Sequence, residues 1–105
     1  MSGRRRPRSF VGVLQAELLF PGCRTLKDRR GHLRSLLDRL RRMGFSSSQV
    51  GDSGIASRAW ISAVCACSSM SAASRLLQSA CAILDSPEWE LVRSSDTVTV
   101  FEQEE

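Results

Sequence analysis

Pro21–Gly44, PGCRTLKDRRGHLRSLLDRLRRMG, decides how the rest of the chain is read. Leu26, Leu33, Leu36, Leu37 and Leu40 recur on the 3.6-residue period and form one apolar stripe. Thr25 stands just before the run, with Asp28 three places on. This is the carboxylate form of a capping box, in which each side chain accepts from the other residue's amide. At the far end Arg41 and Arg42 suit the negative pole of the helix dipole, and Gly44 suits the left-handed residue that closes a helix. Start, period and stop agree on a helix over about 26–43. Its other face carries Lys27, Arg29, Arg30, Arg34, Arg39, Arg41 and Arg42, predicted as one cationic ridge.

Around this helix the pattern alternates between strand and helix. Phe10–Phe20 reads as a strand, with Phe10, Leu14, Ala16, Leu18 and Phe20 on one face and Val11, Val13, Gln15, Glu17 and Leu19 on a mixed, half-exposed one. Pro21-Gly22 breaks it. Phe45–Val50 is a weaker strand, diluted by three serines. Arg58–Ser68 is a stronger one, with Ala59, Ile61, Ala63, Cys65 and Cys67 facing one way and Trp60, Ser62, Val64 and Ala66 the other. A second helix is predicted over about 70–85, capped by a serine near 68–71 and stopped by Pro87. A last strand, Trp89–Val92 and Thr97–Phe101, is expected to bend at Ser94-Ser95-Asp96. The order β-α-β-β-α-β predicts an α+β, ferredoxin-like two-layer sandwich: a four-stranded antiparallel sheet with both helices on one face. Residues 1–9 are expected to form a disordered basic arm, 10–101 the single domain, and 102–105 an acidic tail.

Composition narrows the function. The chain has 105 residues and a net charge of +4, unevenly spread: residues 1–44 carry +9 and residues 45–105 carry −5. A basic half of this density suits a polyanion, and it equally suits a solvated face. No apolar run reaches the roughly 18–20 residues of a membrane span, and Gln15 and Glu17 interrupt the only stretch resembling an export signal. A cytoplasmic protein is expected. Cys23, Cys65, Cys67 and Cys81 form no C-x-x-C pair, and His32 is the single histidine, so no zinc site is predicted. Inward-facing Cys65 and Cys67 are read as small buried thiols. His32 has no evident carboxylate partner, and neither a nucleophile elbow nor a phosphate-cradling glycine loop is present. No enzyme, cofactor or small-molecule substrate is predicted.

Residues 10–101 resemble the YlxP-like family of small bacterial proteins, a domain of unknown function. The resemblance rests on the strand VGVLQAELLFPG and on a P-x-x-x-[S/T]-L-K-[D/E]-[K/R]-R signature, met here by Pro21, Thr25, Leu26, Lys27, Asp28, Arg29 and Arg30. It implies the ferredoxin-like fold, and a gene neighbourhood of translation and ribosome-maturation factors. Two positions depart from the pattern: Gln49 replaces an acidic residue, and Ala56 stands where a tryptophan is usual.

Two interaction surfaces follow. The first is a site for RNA or a ribosomal particle, comprising Arg4, Arg5, Arg6 and Arg8 of the arm with Lys27, Arg29, Arg30, Arg34, Arg41 and Arg42 of the helix. Binding there would be dominated by phosphates, since no RNP-like aromatic segment is present. The second is the open sheet face, through Val11, Val13, Trp60 and Val64, for a homodimer. An acidic protein on the ridge is a further alternative.

Overall fold

The computed structural model of the chain describes residues 6–51 and 54–103. Its elements are β1 (Arg8–Leu19), α1 (Leu26–Arg42), β2 (Ser46–Val50), β3 (Arg58–Cys67), α2 (Met70–Leu84) and β4 (Glu90–Glu102). All pairings are antiparallel, in the order β2-β3-β1-β4. This is the ferredoxin-like arrangement, and it leaves β2 and β4 as the two edges.

The predicted capping box of α1 is present. Thr25 Oγ1 accepts from the Asp28 amide at 3.1 Å, and Asp28 Oδ2 accepts from the amides of Thr25 at 3.3 Å and Arg24 at 3.2 Å. Gly44 follows the helix at φ +109°, a conformation that favours glycine. Ser69 caps α2 by accepting from the Ala72 amide at 3.1 Å. Leu14, Ala16 and Leu18 of β1 and Ala59, Ile61, Ala63 and Cys65 of β3 meet Leu33, Leu36, Leu37 and Leu40 of α1 and Leu77, Ala80 and Leu84 of α2 in one core. Gly12 lets α2 approach closely, for a Cβ there would meet Cys65 Sγ at 2.9 Å and Leu77 at 3.2 Å. Trp89 closes the end of the core, donating from Nε1 to the Leu84 carbonyl at 2.9 Å. Among the described residues, no helix is long and apolar enough to cross a membrane.

The start of the first strand and the course of the last differ from expectation. β1 begins at Arg8, so Arg8 and Ser9 belong to the sheet, opposite Glu102 and Phe101. The remaining arm residues Arg4 and Arg5 lie outside the described residues, as do Glu104 and Glu105. β4 runs unbroken through Ser94-Ser95-Asp96, because these residues pair with Ala16, Gln15 and Leu14. The irregularity falls at Val92 instead: Glu17 pairs with Arg93 and Leu18 with Leu91, a one-residue bulge.

Candidate functional site

α1 packs beside β2, and its outward side carries exposed cations. Arg30, Arg34 and Arg41 are four and seven residues apart, which stacks them on one side of the helix. With Leu33 and Leu37 beneath them and Gln49 of β2 opposite, they line a groove of about 240 Å³. A smaller recess of about 130 Å³ adjoins it, lined by Leu26, Arg29, Arg30, Leu33 and Gln49. Asp28 is engaged in the cap, and Asp38 accepts from Arg41 at 3.0 Å. Among the described residues, Lys27, Arg30, Arg34, Arg39 and Arg42 make no ion pair. The groove therefore joins an apolar floor to guanidinium walls, a chemistry that suits an anion attached to a flat or apolar group.

Arg29 does not belong to this ridge. It is 7 % exposed, and its NH1 donates to the carbonyls of Ile55 at 2.9 Å and Arg58 at 2.6 Å. It fastens α1 to the segment entering β3, so its role is structural. Arg41 is divided, with NH2 bonded to the Ser47 carbonyl at 3.0 Å and half of its side chain in solvent. The described arm residues sit elsewhere. Arg6 donates to the Gln103 carbonyl at 2.8 Å and Arg8 lies 5.6 Å from the Phe10 ring centroid, both at the β1–β4 side of the sheet. α1 lies at the β2 side, so the fold does not gather the described arm residues, Arg6 and Arg8, and the helix into one surface.

The open sheet face is also divided. Val13 and Val64 are directly opposite each other, with Val11 two residues along, and they form a small apolar patch. Trp60 lies two rows away, opposite Glu17, and the row Ser48–Ser62–Gln15–Ser95 separates it from the valines. Glu17 is only 5 % exposed although no helix covers it. Arg93 Nε lies 3.0 Å from one carboxylate oxygen and Arg58 NH1 3.4 Å from the other, so the ion pairs bind β1 to both neighbouring strands.

His32 has a carboxylate neighbour after all. Its Nδ1 is 3.8 Å from Glu88, and its ring lies tilted at 34° to that of Phe20 with the centroids 6.2 Å apart. Burial raises the Cys65 thiol above its ordinary value, and burial with the charge of Asp96 raises Cys81. Such thiols are poor nucleophiles at neutral pH. Among the described residues, no group of three or more His, Cys, Asp and Glu side chains is placed to hold a metal ion.

No curated protein matches the chain. The model of DUF503, described as a protein of unknown function, matches residues 11–96, from the fourth residue of β1 to the middle of β4. Over that span the strand, the capped basic helix and the second β-α-β unit form one continuous match, and the chain belongs to the DUF503 family.

Proposed function

We propose that the domain is a non-enzymatic binding module that holds an RNA phosphate backbone, in a ribosomal particle or a precursor of one, against the outer side of α1. The observation that carries this reading is the convergence of Arg30, Arg34 and Arg41 on one groove beside β2, flanked by Lys27 and Arg42 with no ion-pair partner among the described residues. The resemblance to YlxP-like proteins adds support through the translation-gene neighbourhood that it implies. At Gln49, where that pattern has an acidic residue, a neutral amide lines the groove, which keeps the groove's cations from being offset from β2.

Phosphate-dominated binding weakens with salt, by a slope of roughly 0.7–0.9 per phosphate neutralised on a log–log scale. Co-sedimentation with ribosomal particles over a salt series tests the reading. Arg30→Glu/Arg34→Glu should abolish binding, and Arg75→Glu, an exposed charge reversal on α2, should leave it intact. Binding by Arg30→Glu/Arg34→Glu equal to that of the natural chain, or none by the natural chain at any salt, would overturn it.

A further inference from the structure

We infer that the free edge of β4 is a self-association edge, across which two copies pair β4 with β4 antiparallel about a two-fold axis into one continuous sheet. The inference is independent of the function proposed for α1. β4 runs thirteen residues, Glu90–Glu102, and among the described residues pairs only on its β1 side. Its side chains are exposed on both faces except at Val98, which is half-buried against the core. Among the described residues, Leu91, Val92, Val100 and Phe101 are large apolar side chains on this strand that reach solvent, at 40 %, 39 %, 43 % and 58 % exposure. The segment Thr97–Phe101, TVTVF, is β-branched or aromatic throughout and uncharged. A long exposed edge of that composition is a template for another strand.

The chemistry of both edges selects a second copy as the occupant. The opposite edge, β2, is five residues long, and Arg41 of α1 already bonds the Ser47 carbonyl there. A head-to-tail contact of β4 with β2 of another copy would have to displace that guanidinium, whereas β4 against β4 is closed and self-complementary. Charge then limits the register, since side chains directly opposite share a face and like charges there are unfavourable. Centring the axis on Asp96 opposes it to the partner's Asp96 and Glu90 to the partner's Glu102. Centring on Thr99 opposes Asp96 to the partner's Glu102. Centring on Val98 places Asp96 against the partner's Val100, Thr97 against the partner's Thr99 and Val98 against the partner's Val98. Centring on Thr97 likewise sets Asp96 against the partner's Val98. The registers at Thr97 and Val98 thus keep Asp96 and Glu102 opposite neutral side chains, while Glu90 falls beyond the end of the partner's β4.

Sedimentation equilibrium of the full chain over a broad concentration range is the test, with amide exchange of β4 measured at both ends of that range. A monomer–dimer equilibrium is expected, with alternate amides of β4 gaining protection as dimer forms. Thr97→Lys/Thr99→Lys opposes lysines across the axis in either register and should weaken the dimer by roughly tenfold or more. Val100→Lys adds a charge to the same strand without opposing a like one, and should leave the dimer. A chain that stays monomeric throughout overturns the inference. So does a dimer that survives Thr97→Lys/Thr99→Lys, or one whose β4 amides exchange at the same rate at both concentrations, which would place the contact elsewhere.

Discussion

At one edge of the sheet β2 runs five residues along α1; at the other β4 runs thirteen with α2 behind it, β1 on its inner side and, among the described residues, no strand on its outer side. The first edge is fastened from above. Ser47 Oγ donates to the Leu37 carbonyl at 2.9 Å, Arg41 reaches the Ser47 carbonyl, and Arg29 holds the segment that leads into β3. The second edge is held mainly by its ladder with β1, aided by the Arg93–Glu17 ion pair. Both are edges of one sheet, yet positive charge gathers beside the short one and exposed apolar residues on the long one. Covering an edge with a basic helix protects it and presents cations in the same stroke. Leaving an edge bare keeps it available to another strand.

If the β2 side is fastened through buried polar contacts, breaking it there should have the largest effect on stability. Arg29→Ala leaves two backbone carbonyls without their guanidinium and should destabilise the fold by about 2–3 kcal/mol. Arg29→Lys should recover only part of this, since one ammonium cannot reproduce the planar fork. Urea unfolding of both variants measures the difference. A change under about 0.5 kcal/mol for Arg29→Ala would mean that the loop is held by packing alone. It would also return Arg29 to the list of residues free to bind a partner.

Glu17 tests the other half of the sheet. Glu17→Ala removes the carboxylate that joins Arg58 and Arg93, and it should cost about 1–2 kcal/mol, because both guanidiniums can turn to water. Ser47→Ala removes one buried hydrogen bond and should cost about 1 kcal/mol. By contrast, Phe101→Ser on the bare edge should change monomer stability by less than about 0.5 kcal/mol, its ring being mostly in solvent already. Any larger loss for Phe101→Ser than for Ser47→Ala, measured on monomer, would reverse the contrast between the edges.

How much of this was legible in sequence depends on how local each signal is. The first helix is written in adjacent residues: Thr25 and Asp28 at its start, leucines on its period and Gly44 at its end all lie within one stretch. Residue type misled at Arg29. Leu26, Arg29, Leu33, Leu36 and Leu40 follow one another at helical spacing, so position alone places Arg29 on the inward stripe, against the pull of its charge. Leu26, at 45 % exposure, shows the converse. The unbroken course of β4 could not be read from Ser94-Ser95-Asp96, since those residues are extended by their partners on β1, far away in sequence. The burial of Glu17 and the split of the open face are non-local for the same reason. They depend on strands whose register is set only when the sheet assembles.

The smallest expected effect asks how firmly β4 lies on α2. Cys81 is raised first by burial and then by the charge of Asp96, which belongs to β4. A thiol raised in the folded state stays protonated while the unfolded chain, near the ordinary value of 9.0, begins to lose its proton. The native state then binds more protons than the unfolded one, so stability falls as pH rises above about 9 and keeps falling until the folded thiol itself ionises. Burial raises Cys65 in the same direction, so the two thiols contribute together to this alkaline loss. Asp96→Asn removes the second cause at Cys81 and leaves the first. It should therefore lower the pH at which the Cys81 thiolate appears in ultraviolet absorbance, in a Cys65→Ala background, without returning it to the ordinary value. A titration unmoved by Asp96→Asn would mean that this stretch of β4 lifts from the helix in solution, and that the bare edge is held less firmly than its ladder with β1 implies.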